Sequence, residues 1–146
     1  MDRQQVRGDL LSLESVLTVS RYFSSAVATD ESRETFASNI KDVYDEFGLD
    51  GIDIDWEYPG RQGDSGNIVG PDDSSNFLSF LQVLRRVLPP DARITAATTT
   101  VPFADASGGP LEDVSDFARC LDWILLMNYD VWGCEDLLFH VVILTQ

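Results

Sequence analysis

The chain has 146 residues, 44% hydrophobic and 24% charged, which suffices for one buried core and is ordinary for a globular domain. Its 25 acidic side chains against 10 basic ones give a formal charge of −15, which argues against nucleic acid and membrane surfaces as partners because both are anionic. No run approaches the roughly 18 apolar residues of a spanning helix, and Asp2, Asp9 and Glu14 interrupt the region where a signal peptide would place its uncharged stretch.

Residues 1–28 are polar and then weakly apolar, with one candidate strand at 16–19. Thr29 and Asp30 are good helix caps. After them Phe36, Ile40, Val43 and Phe47 recur at helical spacing, and Gly48 supplies a stop. A strand is predicted at about 51–58, followed by a loop from Pro59 to Pro71 that holds four glycines. Asp72 and Asp73 then cap a second helix, 72–88, with Phe77, Phe80, Leu81, Leu84 and Leu88 as its apolar face and Pro89-Pro90 as its end. Residues 93–100 are short and β-branched, as a strand would be. A third helix at about 111–120 offers Leu111, Val114, Phe117 and Ala118 to a core, and a third apolar strand follows at 123–129. Residues 134–146 begin no recognisable unit.

Helices alternating with near-continuously apolar strands predict an α/β fold with parallel pairing. Right-handed crossovers put the strand C-termini at one edge, where such folds build their sites. Glu57, Thr99 and Tyr129 fall at or near that edge. Cys120 and Cys134 are too few for a disulfide framework and read as buried free thiols, with a single bridge as the alternative. The lone His140 has no second histidine with which to share a metal and reads as structural or solvent-facing.

The stretch Asp50-Gly-Ile-Asp-Ile-Asp-Trp-Glu-Tyr-Pro-Gly60 carries the most chemistry. Successive strand side chains point to opposite faces. Asp53, Asp55 and Glu57 therefore share one face, and Ile52, Ile54 and Trp56 share the other. Carboxyls two residues apart stand roughly 6.5–7 Å apart at Cβ. Like charge and desolvation both raise a carboxyl pKa, so the three should titrate as a coupled set with at least one holding a proton near neutrality. Glu57, outermost, is placed to act as a general acid, with Asp55 and Asp53 behind it. A calcium loop counted from Asp53 would need Gly at its sixth position and Glu at its twelfth; Tyr58 and Asp64 stand there. The remaining alternative is an exposed face of solvated acids, against which the apolar opposite face argues. The carboxyl spacing alone fits inverting or retaining glycoside chemistry equally.

This stretch resembles the glycoside hydrolase family 18 signature Asp-Gly-x-Asp-x-Asp-x-Glu at Asp50, Gly51, Asp53, Asp55 and Glu57. A second family element, Met-x-Tyr-Asp, is matched by Met127, Tyr129 and Asp130. The resemblance implies a partial (β/α)8 TIM barrel, roughly strands 3/4 to 6, truncated at both ends relative to the eight strands and about 250 residues of the whole barrel. It divides the chain into a weakly structured segment (1–21), a partial catalytic domain (22–133) and an unrelated tail (134–146). Strands near 51–58 and 123–129 would then expose unpaired edges.

The implied activity is cleavage of β-1,4 bonds between N-acetylglucosamine units by substrate-assisted retaining catalysis, impaired by the truncation. Glu57 would protonate the glycosidic oxygen, Asp55 would hold the substrate's acetamido N–H, and Asp53 would share a proton with Asp55. Tyr129 would hydrogen-bond the acetamido carbonyl. Asp130, Met127 and Tyr58 would line the same subsite. The partner is chitin or an N-acetylglucosamine oligosaccharide, and no metal or organic cofactor is required. Alternatives are an endo-β-N-acetylglucosaminidase acting on N-glycans, a non-catalytic chitin-binding relative, and an inactive fragment. Full-length members are often extracellular.

Overall fold

The computed structural model describes residues 10–13, 20–63 and 65–129. The elements run β1 (Leu10–Leu13), α1 (Ser20–Ala26), α2 (Asp30–Phe47), β2 (Gly51–Asp55), α3 (Asp73–Val87), β3 (Arg93–Thr98), α4 (Ser115–Cys120) and β4 (Trp123–Leu126). The four strands form one sheet in the order β1-β2-β3-β4, and every neighbouring pair is parallel. This is the α/β arrangement expected from the alternation of helix and strand.

The helix ends follow their local chemistry. The Ser32 N–H donates to Thr29 Oγ1 and the Thr29 N–H to Ser32 Oγ, both at 3.1 Å, a reciprocal cap on α2. Gly48 closes the helix in the left-handed region, φ 60°, where a Cβ would be strained. Gly51 meets a different need. An added Cβ would lie 2.6 Å from the Arg93 carbonyl oxygen, so the start of β2 can approach β3 only without a side chain.

The core lies between the sheet and the helices. Ile52, Ile54 and Trp56 are buried there with Phe23, Phe77, Phe80 and Ile94. Trp56 stacks on Phe23 at 5.2 Å and meets Phe77 edge-on at 5.4 Å. Phe77 also contacts Phe103 and Phe117, which stack on each other at 3.7 Å. A second tie is polar. The Asp73 carboxylate, 1% exposed, accepts from Ser24 Oγ at 2.6 Å, the Gly70 N–H at 2.8 Å and the Gly60 N–H at 3.3 Å. It thereby joins α1, the head of α3 and both ends of the intervening loop.

Several expectations are corrected. β1 was not anticipated, and the candidate strand at 16–19 lies outside the described residues, as do Cys134 and His140. β2 is interior, paired on both sides, so of the two strands expected to expose an edge only the later one does. β4 is that edge, and Trp123, Ile124, Leu125 and Leu126 are 40–52% exposed. Phe47 is 65% exposed, because the stripe on α2 is covered only as far as Tyr44. The third helix begins at Ser115, whose N–H donates to Asp113 Oδ1 at 2.8 Å; Val114 and Ala118 are exposed. Asp72 sits at the N-cap of α3 but makes no capping hydrogen bond there. Cys120 is a buried free thiol.

Phe77 joins the Trp56 and Phe103 groups. Phe77→Ala should therefore cost about 3–5 kcal/mol, read from the urea midpoint at unchanged slope. A loss below about 1 kcal/mol would show that the two groups do not depend on it.

Candidate active site

The site is built on β2 and its neighbours. The pairing register puts Asp53 beside Thr95, with Thr95 in turn beside Trp123, and Asp55 beside Ala97, with Ala97 beside Leu125. Paired residues of adjacent strands face the same way, so these rows lie on the side of the sheet opposite Ile52, Ile54 and Trp56. Asp53 is buried, and Thr95 Oγ1 donates to its Oδ1 at 2.5 Å. Asp55, Glu57 and Tyr58 are half-buried.

β2 ends at Asp55, short of the predicted 58. Pro59 and the left-handed Gly60 (φ 71°) turn the chain there, and β3 and β4 likewise end at Thr98 and Leu126, short of 100 and 129. Glu57 thus stands two residues past its strand, and the loop holds it. Asn67 Nδ2 donates to the Glu57 carbonyl at 2.8 Å. Gly63 passes so close that a Cβ would lie 2.3 Å from that same oxygen.

A cavity of about 360 Å³ is lined by Asp53, Asp55, Ala97, Met127 and Tyr129, with Leu125 and Leu126. Tyr129 is 64% exposed at its mouth. Tyr58 belongs to the same neighbourhood. Burial, the Glu57 charge, a hydrogen bond with Glu57, and then Asp55 and Tyr129 push its phenol up to about 12. The structure therefore brings together six of the seven sequence-derived site residues: Asp53, Asp55, Glu57, Tyr58, Met127 and Tyr129. Asp130 lies outside the described residues. Thr99 is not part of the group; its hydroxyl donates to the Val101 carbonyl at 2.9 Å. Sequence reasoning missed Thr95, Asn67 and Gly63. Thr95 could have been found by matching the inward parity of β3 to that of β2, whereas the two loop contacts leave no local signal. Among the described residues no group of three or more His, Cys, Asp or Glu is arranged to hold a metal ion.

Chemically, the arrangement offers an acid fixed by a hydroxyl donor (Asp53), a second acid in the cavity wall (Asp55), and a third at the sheet edge (Glu57). Tyr58 gives a pH test of this geometry. Its folded pKa of about 12 exceeds the ordinary value near 10, so the folded state holds the proton more tightly. The resulting stability is present below about pH 10 and lost as pH rises through about 12. Ultraviolet titration of the wild type against Tyr58→Phe should show the missing phenol ionising late. Ionisation at the ordinary tyrosine pH would contradict the packing of Tyr58 against the acids.

The match to known proteins runs through these same elements. A family model described as Glycosyl hydrolases family 18 matches residues 15–140. A chitinase-like effector from Moniliophthora roreri is 47% identical over 116 residues, which cover 80% of this chain and 28% of that protein. Chitinase A1 from Niallia circulans is 33% identical over 119 residues, 80% of this chain and 17% of its own. A chitinase structure from Rhizomucor miehei superposes with a TM-score of 0.80 at 35% identity, covering 85% of this chain and 34% of that one. The chain thus spans less than a third of the curated relatives it matches. With a family model matched across most of its length, the chain belongs to family 18 of the glycosyl hydrolases.

Proposed function

We propose that this chain carries the acid-bearing part of a chitinase-type glycoside hydrolase, which cleaves β-1,4 bonds between N-acetylglucosamine units with retention. The observation that carries the reading is the convergence of Asp53 and Asp55 with Met127 and Tyr129 on one cavity, with Glu57 and Tyr58 beside them. Four parallel strands in sequential order are half of an eight-stranded barrel, and we take them as part of one, roughly from its third or fourth strand to its sixth.

In this reading Glu57 gives its proton to the leaving glycosidic oxygen. The substrate's acetamido oxygen attacks the anomeric carbon, so no protein carboxylate needs to reach it. Positive charge then spreads over the acetamido group, and Asp55 accepts its N–H and stabilises it. Asp53, fixed by Thr95, shares a proton with Asp55 and sets how much charge Asp55 carries. Tyr129 donates to the acetamido oxygen and aims it. Glu57, now ionised, takes a proton from the water that opens the intermediate, and double displacement retains configuration.

A second reading, oligosaccharide binding without turnover, is favoured by one observation: two relatives, 47% and 40% identical, are described as chitinase-like effectors. One assay separates the two. Fluorophore release from an N-acetylglucosamine oligomer glycoside should be measurable for the wild type and fall by at least about 100-fold in Glu57→Gln. Equal turnover in both would remove Glu57 from the chemistry. Binding without turnover in either would establish the second reading.

A further inference from the structure

The pairing of β2 with β3 ends at Asp55, so the sheet does not fix Glu57. We propose that Asn67 is a positioning residue for the proton donor: its amide holds the peptide between Glu57 and Tyr58, and so sets where the Glu57 carboxyl can reach. The proposal rests on the hydrolase reading above and adds to it a residue that does not line the cavity.

The backbone is anchored on either side of that peptide. Trp56 is 2% exposed and is held by its contacts with Phe23 and Phe77. After Tyr58 the chain turns: the Arg61 N–H donates to the Tyr58 carbonyl at 3.3 Å, and the Gly60 N–H donates to Asp73 Oδ2 at 3.3 Å. Between these anchors, two contacts from further along the chain grip the Glu57 carbonyl. Asn67 Nδ2 donates to its oxygen at 2.8 Å. Gly63 packs so closely that an added Cβ would lie 2.3 Å from the oxygen and 3.0 Å from the carbon. Both contacts act on the backbone and leave the carboxyl itself to the substrate.

The grip is itself held. Three residues past Asn67, the Gly70 N–H donates to Asp73 Oδ2 at 2.8 Å, and the Asp73 N–H donates to the Gly70 carbonyl at 3.2 Å. Ahead of it, Arg61 donates to the Val101 carbonyl at 2.6 Å and the Gly108 carbonyl at 3.3 Å. Asn67 thus reaches Glu57 from a segment pinned to the head of α3 on one side and to the loop after β3 on the other. Side chains locked in this way can hold a reacting group precisely.

Precision matters for a general acid, which works only within hydrogen-bond reach of the oxygen it protonates. Misplacement by about 1 Å can cost about 100-fold in rate. Asn67 is half-buried, and its hydrogen bond goes to the acid's own peptide. Its loss should therefore displace the acid more than it weakens the fold.

The test is steady-state kinetics of the full chain on an N-acetylglucosamine oligomer glycoside, with urea unfolding and ultraviolet titration of Tyr58 alongside. Asn67→Leu, close in shape but without the donor, should lower kcat by about 10–100-fold and leave KM within about twofold, as expected when an interaction acts in the transition state. Asn67→Gln, which keeps the donor, should recover part of that rate. Gly63→Ala, which pushes the same carbonyl, should also lower kcat. The urea midpoint of Asn67→Leu should stay near that of the wild type. The Tyr58 phenol, pushed up to about 12 by burial and then by Glu57, shares the gripped peptide and should ionise earlier in Asn67→Leu. Wild-type kcat in Asn67→Leu, equal losses in Asn67→Leu and Asn67→Gln, or a rate loss matched by lost stability would each overturn the proposal. Failure of the hydrolase reading looks different, because the wild type itself would not turn over. The phenol then decides alone, and unchanged ionisation of Tyr58 in Asn67→Leu would overturn the positioning role.

Discussion

Burial of Ile52, Ile54 and Trp56 against the helices is the constraint on which the site depends. Each of these side chains is at most 2% exposed, and the contacts of Trp56 with Phe23 and Phe77 oppose any slip of the strand. A one-residue slip would exchange the two faces of the strand. The apolar face therefore positions the acids: once it is locked into the core, Asp53 and Asp55 must face the other side. Gly51 serves the same end by letting β2 approach Arg93 closely.

The buried Asp73 and Asp53 show how differently a carboxylate can be used. Asp73 accepts from three donors belonging to three parts of the chain, which makes it a structural tie. Asp53 takes a hydroxyl hydrogen bond from Thr95 on the neighbouring strand and lines the cavity together with Asp55. The first arrangement closes the loop from Gly60 to Gly70. The second fixes an acid in the wall of a cavity. Glu57 depends on both, since it stands beyond the strand, where Asn67 and the approach of Gly63 hold its backbone.

Much of this was legible in the sequence because its causes are local. Period-two alternation needs only neighbouring residues, so the acid face could be read directly. The same holds for α2 and α3, where caps and a 3.6-residue stripe announce the element, and Phe77, Phe80, Leu81, Leu84 and Leu88 are all buried as expected. What escaped was non-local or lacked contrast. Leu-Leu-Ser-Leu in β1 is only four residues long and holds no β-branched residue. The Thr95–Asp53 pair depends on strand register, and the Asn67–Glu57 contact on how a glycine-rich loop folds back. Exposure of β4 depends on what pairs beyond it, which no pattern within Trp123–Leu126 records.

The proposed function rests on a single chemical claim: that the substrate's acetamido group does the work a second protein carboxylate does elsewhere. Proton NMR of the first products from an N-acetylglucosamine oligomer tests this directly, before the sugar mutarotates. The account predicts the β-anomer at the new reducing end. Initial appearance of the α-anomer would mean that water attacks the anomeric carbon directly, and would contradict the roles given to Asp55 and Tyr129.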